Sequence, residues 1–228
     1  MNLDIIYKDE CLLVVNKPAG IPVHATHDPL RANLQGVLAK QLASELQHKP
    51  VLHHRLDRDT SGLVLFGIDP AFNKAFTDMF RDRLVKKTYL AVVDGSWSSE
   101  WTSVETYIDK VAGGRYKNFH SKKAAPKKAK EAVTKFKVLD SNADKSFLEV
   151  SPQTGRTHQI RLHCQDKGHS ILGDLIYHPS KQKWRCPMAL HAWKLEFVHP
   201  LTGETLALEA PVPEFWQNHY LQGLSPSV

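Results

Sequence analysis

Two histidines, two arginines and two aspartates fall within ten residues, His53-His54-Arg55-Leu56-Asp57-Arg58-Asp59-Thr60-Ser61-Gly62. A carboxylate in such a run can serve as nucleophile or general base if it is ionised and firmly held. In an extended chain side chains alternate, so His53, Arg55 and Asp57 would share one face and His54, Leu56 and Arg58 the other. Val51-Leu52 precedes the run and Leu63-Val64-Leu65-Phe66 follows it. A charged loop between apolar strands is a usual place for a site; a solvated cluster of ion pairs is the competing reading. A second polar run, Thr154-Gly155-Arg156-Thr157-His158-Gln159-Ile160-Arg161-Leu162-His163-Cys164, is also bounded by core-like residues.

Several chemistries are excluded. Adjacent His53 and His54 would diverge in a strand, His158 and His163 lack the i, i+4 spacing of a helical ligand pair, and no Cys/His set has zinc spacing, so no metal is expected. There is no G-x-G-x-x-G and no G-x-x-x-x-G-K-[ST]. Ser61 lacks the G-x-S-x-G elbow. Asp59-Thr60-Ser61-Gly62 is only an interrupted form of an aspartic-protease signature, without a second copy. Cys164 beside His163 reads as a buried, inert thiol.

The elements that must position these residues follow from periodicity. Ile5-Ile6-Tyr7 and Leu12–Val15 read as strands, and Asn16-Lys17-Pro18-Ala19-Gly20 as a tight corner. Leu34, Val37, Leu38, Leu42 and Leu46 recur at helical spacing. Asp69-Pro70 is a helix start, and Phe72, Ala75, Phe76, Met79, Phe80 and Leu84 make one apolar stripe. Lys86–Val93 reads as a strand ending at Asp94-Gly95. Between about 110 and 130, lysines and arginines interleave with Tyr116 and Phe119 and carboxylates are nearly absent, which reads as a mobile basic loop suited to RNA, with a merely solvated surface loop as the equal competing reading. Strands follow at 133–139 and 146–150. The segment after Thr154-Gly155 is ambiguous between a strand and a short helix capped at Gly168; the helix is favoured, with Thr157 as its N-cap. Leu190–Val198 and Thr205–Ala210 form a hairpin turned at Pro200-Leu201-Thr202-Gly203.

The chain has 228 residues, 42% apolar and 24% charged, with net charge +6 and pI about 9.1. The composition is that of a globular protein, and the charge favours a polyanion such as nucleic acid. Cys11, Cys164 and Cys186 are odd in number and lack C-x-x-C spacing, which points to a reducing compartment. With no signal peptide and no membrane-length apolar run, the cytoplasm is the expected location.

Taken in order, Asn16-Lys17-Pro18-Ala19-Gly20, His54–Gly62, Lys87-Thr88-Tyr89, Thr154–Arg161, Gly168-His169-Ser170-Ile171-Leu172-Gly173-Asp174 and Leu190-His191-Ala192 closely resemble the RluA-type family of RNA pseudouridine synthases. The match runs from about Ile5 to about Pro213. It implies an isomerase acting on uridine in structured tRNA or rRNA, without cofactor or metal and as a monomer. It implies an α+β fold with a central mixed, mostly antiparallel sheet, flanking helices and a cleft across the middle. By residue match Asp57 is the catalytic aspartate, Tyr89 the active-site tyrosine and Arg161 the basic partner of the aspartate. Arg55 enters the RNA beside the flipped nucleotide. Arg58, Lys17, Lys87, Arg156, Lys122, Lys123, Lys127 and Lys128 are assigned RNA contacts. One catalytic domain of two lobes over 1–228 is expected, without the basic N-terminal module that many relatives carry. Ser170 stands where relatives often have proline. Two alternatives remain: a non-catalytic RNA-binding protein on the same scaffold, which would not need Asp57, and a metal-dependent hydrolase using the histidines.

Overall fold

The structure is a computed structural model that describes residues 2–25, 28, 30–179 and 186–224. In chain order its strands and helices are β1 (Asp4–Lys8), β2 (Leu12–Lys17), α1 (Leu34–Gln41), β3 (Val51–Leu52), β4 (Ser61–Gly67), α2 (Asn73–Arg81), β5 (Lys86–Asp94), β6 (Trp101–Lys110), β7 (Tyr116–Phe119), β8 (Lys130–Ser141), β9 (Lys145–Pro152), α3 (Gln159–Asp166), β10 (Leu190–Val198), β11 (Thr205–Glu209) and α4 (Phe215–His219). The fold is α+β, with many strands in mixed pairing and few helices. The chain divides into two compact units, Met1–Lys87 with His191–Pro211, and Thr88–Leu190 with Val212–Val228.

In the first unit β2 pairs antiparallel with both β1 and β4, and β10 pairs antiparallel with β11. β10 joins β4 in parallel at His191↔Ser61 and Ala192↔Gly62. β4 is buried along its whole length, which is why its sequence is a continuous apolar run rather than an alternating one. α2 turns Phe76 and Met79 onto Leu12, Val14, Leu63, Leu65, Leu195 and Phe197. Asp69 accepts the Ala71 amide at 2.9 Å, the cap its sequence suggests, but it opens a short 3-10 turn from which α2 proceeds. The apolar stripe overruns the helix: α2 ends at Arg81, Arg83 turns to φ +60, and Leu84 is left 66% exposed. α1 likewise stops before Leu46, with Leu42 as its C-cap, and the Asn33 side chain caps its start by accepting the Gly36 amide.

In the second unit β5, β9, β8, β6 and β7 pair antiparallel in that order. α3 lies on this sheet, with Leu162 packed against Ile108, Ala132 and Tyr177. The expected loop of residues 110–130 is largely structured. β6 runs to Lys110, β7 returns along it, and β8 starts at Lys130, so only residues 111–115, a short 3-10 turn, and 120–129 remain turns and irregular chain. β7 resembles a loop in sequence because its outward residues are polar or basic, yet Tyr116 packs on the core and Asn118 is hydrogen-bonded beneath it. Thr157 does not cap α3. His158 occupies the cap position with a left-handed backbone, φ +57, and no side-chain cap bond.

Candidate active site

Asp57 lies half-buried on the corner between β3 and β4. Its carbonyl accepts the Thr60 amide at 3.2 Å, which closes the turn that brings the chain into β4. The corner is held from below by Lys17, the last residue of β2. The side chain is 0% exposed, and its ammonium donates to the carbonyls of Pro18, Ile21 and Arg58 at 2.9, 2.9 and 2.8 Å. The Gly20 amide donates to the same Arg58 carbonyl at 2.9 Å. Burial pushes Lys17 down to about 7, while the charges of Asp59 and Asp57 act in the opposite direction. The three carbonyls also favour the ammonium, since only the charged form has three hydrogens to give. The RNA contact expected of Lys17 is therefore corrected: the residue fastens the Asn16–Gly20 corner to the Asp57 loop and offers no surface to a phosphate.

The run's two histidines, Ser61 and Gly62 are ties. His54 Nε2 accepts the Leu65 amide at 2.9 Å, and its ring stacks on Phe80 at 4.4 Å and 18°. His53 sits on Phe76 and meets Thr77 Oγ1 through Nδ1 at 3.1 Å. Because the Thr77 hydroxyl donates to the Asn73 carbonyl, His53 Nδ1 is the donor in that pair. Leu56 and Thr60 are buried. Ser61 Oγ meets His191 Nδ1 at 2.8 Å. Gly62, at φ +106, lets β4 and β10 approach so closely that a Cβ would sit 2.2 Å from the Ala192 carbonyl oxygen. Arg55 is exposed, and Arg58 is exposed with its guanidinium paired to both Asp59 oxygens at 2.9 Å.

In the second unit Arg161 is buried, and its Nε and Nη2 donate to the two oxygens of Asp174 at 2.8 and 2.7 Å. Asp174 also accepts the Ile176 and Tyr177 amides at 2.9 and 3.1 Å. These bonds hold its carboxyl below the usual range although burial opposes them. The Tyr177 ring faces the Arg161 guanidinium at 5.1 Å. Its hydroxyl accepts the Tyr116 amide at 3.1 Å and lies 2.8 Å from His158 Nδ1. Nothing in the spacing of Asp174 signals its duty, which shows only once Arg161 is placed against it. Tyr89 is half-buried on β5, opposite Val150 of β9.

A directed chain of hydrogen bonds seats α3. Gln159 Nε2 donates to Thr134 Oγ1 at 2.8 Å, and that hydroxyl donates to His163 Nδ1 at 2.8 Å. His163 Nε2 donates to Thr106 Oγ1 at 2.9 Å, which donates to Asn118 Oδ1 at 3.1 Å. Asn118 Nδ2 ends the chain on the Leu162 carbonyl at 3.0 Å. The direction requires a neutral ring, and burial pushes His163 down to about 4. The remaining basic residues divide by exposure. Lys122, Lys123, Lys127 and Lys128 are exposed; Lys87 is half-buried; Arg156 is half-buried with Nε donating to the Glu131 carbonyl at 2.8 Å.

The fold brings together one grouping that spacing does not disclose: Asp9, Cys11 and His199 have ligand-type atoms within 4.8 Å of one another. Those atoms are already engaged. Asp9 Oδ1 accepts the Cys11 and Leu12 amides, and Oδ2 accepts the Tyr7 hydroxyl and His199 Nε2, all at 2.7–2.9 Å. His199 Nδ1 accepts the Leu201 and Thr202 amides at 3.2 Å, so Nε2 carries the hydrogen. The grouping reads as a hydrogen-bond tie between the β1–β2 and β10–β11 turns.

A family model described as RNA pseudouridylate synthase matches residues 11–166. The chain is 34% identical over 219 residues to "Uncharacterized RNA pseudouridine synthase YhcT" of Bacillus subtilis, covering 95% of this chain and 70% of that protein. It is 37% identical over 234 residues to "Ribosomal large subunit pseudouridine synthase D" of Neisseria meningitidis, covering 94% of this chain and 59% of that protein. The chain thus spans between 59% and 70% of the length of these relatives. Among solved structures, "Human RNA Pseudouridylate Synthase Domain Containing 4" superposes with a TM-score of 0.78 at 26% identity, covering 97% of this chain and 92% of that one. With the family model lying across both the Asp57 corner and the Arg161 helix, the chain belongs to the RNA pseudouridylate synthase family, in its RluA-type group.

Proposed function

We propose that this chain isomerises uridine to pseudouridine in structured RNA, transfer or ribosomal, in the cytoplasm and without metal or cofactor. The N1–C1′ bond breaks, uracil rotates and a C5–C1′ bond forms; the C5 proton is then taken by the Tyr89 phenolate or a water and passes to solvent, while N1 gains a proton. Asp57 supplies the carboxylate, either attacking C1′ or removing the proton at C2′. On the residue match Arg161, itself held by Asp174, is the basic group that keeps that carboxylate ionised, and Tyr89 stacks on the base. The observation that carries the reading is the Asp57 corner: a half-buried carboxylate, within the family match, on a turn held to the scaffold at His54, at the Arg58 carbonyl and at Ser61. The relatives are named as synthases, which gives no support to a binding-only protein.

Extruding the target base costs on the order of a few kcal/mol. Exposed Arg55, beside Asp57 in sequence, is suited to fill the vacated stack, and exposed Lys122, Lys123, Lys127 and Lys128 are suited to meet phosphates. The test is release of tritium from C5-labelled uridine in ribosomal and transfer RNA transcripts, with the modified position then mapped. Release from at least one RNA is expected, and none from any cellular RNA would refute the proposal.

A further inference from the structure

We propose that His54 is a positioning residue for Asp57: its imidazole takes the place of a missing strand partner of β4 and so fixes the start of the catalytic loop. The inference rests on the reading of Asp57 as the catalyst. One edge of β4 is paired with β2 from Gly62 to Gly67. The other edge is shared. β10 covers Ser61 and Gly62, and β3 covers Phe66 and Gly67. Leu65 lies in the stretch between those two partners, and its amide donates to His54 Nε2 at 2.9 Å. A buried backbone amide needs an acceptor, and here a side chain supplies it.

The geometry gives His54 two separable duties. As a flat ring it stacks on Phe80 of α2; as an acceptor it captures the β4 backbone. An apolar ring would fill the first duty alone. Since Nε2 accepts, the ring hydrogen of the neutral form sits on Nδ1. Three residues later comes Asp57, and the chain between passes through buried Leu56. Beyond Asp57 the loop is pinned by Lys17 at the Arg58 carbonyl and by His191 at Ser61. His54 is the matching pin on the near side. Without it the loop can pivot about Leu56, and the carboxylate loses its fixed direction while the exposed RNA-facing side chains remain.

The test uses three variants of the full chain. His54→Phe keeps the stack and removes the acceptor, His54→Gln returns a carbonyl oxygen near the Nε2 position, and His54→Ala removes both. Steady-state tritium release, RNA binding and amide exchange at Leu65 are measured for each. His54→Phe should lose about tenfold or more in kcat with RNA affinity within roughly threefold of wild type. His54→Gln should regain most of that loss, and Leu65 exchange should accelerate in the Phe and Ala variants but not in the Gln variant. Full turnover by His54→Phe, or a Gln variant as impaired as the Phe variant, would overturn the proposal. If the wild-type chain releases no tritium from any RNA, the functional reading fails by itself. Leu65 exchange then decides the structural part, and an amide still protected in His54→Phe refutes it.

Discussion

Lowering the pH from about 7.5 to about 5 forces a choice on His163. Its Nδ1 accepts from the Thr134 hydroxyl and its Nε2 donates to Thr106, inside a chain whose direction is set at one end by Gln159 and at the other by Asn118. A second ring hydrogen would point at the Thr134 hydroxyl hydrogen, and reversing that hydroxyl sacrifices a bond in a fully buried site. Burial accordingly holds His163 at about 4 against a normal 6.5. Between those values the unfolded chain binds a proton that the folded chain refuses. Stability is therefore fully present above 6.5 and is lost as the pH falls through the window, at about 1.4 kcal/mol per pH unit per ring. At pH 5 that is roughly 2 kcal/mol for His163. His191, also fully buried and pushed down to about 4, and His54, pushed by burial down to about 3, each add a loss of the same sign and size. Together the three rings remove about 6 kcal/mol, a large share of the roughly 5–15 kcal/mol available to a folded domain. Asp9 and Asp174 are held below 3.8, so their contribution is lost only at lower pH and leaves this window to the imidazoles. Urea denaturation at half-unit steps, with the His163 ring followed by NMR, measures the effect. Constant stability down to pH 5, or a His163 midpoint near 6.5, would mean that the buried chain of hydrogen bonds does not hold this ring neutral.

Three further outcomes are expected. Gly62→Ala places a Cβ 2.2 Å from the Ala192 carbonyl at φ +106, so β4 and β10 must part; a loss on the order of 3 kcal/mol or more in thermal or chemical melting is expected, and a variant as stable as wild type would mean the two strands are not so close. Asp174→Asn removes a buried charge that accepts two Arg161 donors and the Ile176 and Tyr177 amides, so stability should fall by about 3–5 kcal/mol; an unchanged melting temperature would show the pair to be dispensable. Reversing the charge of Lys122, Lys123, Lys127 and Lys128 should weaken RNA binding and flatten its log–log salt dependence by about 0.7–0.9 for each phosphate no longer neutralised; an unchanged slope would mean the loop does not touch RNA.

What the residues disclose and what they conceal differ in physical kind. The buried run of β4, the Asp69 cap and the β10–β11 hairpin are local signals, and each appears where its residues place it. Lys17 misleads because a lysine is charged on paper, and nothing nearby in sequence reveals three carbonyls folded around its ammonium. His54 gives no sign of its bond because the partner is a backbone amide eleven residues away, and amides have no residue type. β7 is hidden because Lys117 and Asn118 look solvated, although Asn118 points inward to Thr106 and Leu162. Asp57, Tyr89 and Arg161 stand out through an ordered resemblance and not through their own chemistry, since spacing alone leaves the charged run open to a solvated ion-pair reading.

On the proposed function one carboxylate in this chain, Asp57, does the chemistry. Asp57→Asn removes its charge and changes almost nothing in size, and the corner around it is held by bonds of neighbouring residues. Tritium release from C5-labelled uridine and RNA affinity, measured side by side for this variant and the wild type, test the claim directly. No release by the variant, with RNA binding close to wild type, is the predicted result; substantial release would contradict it.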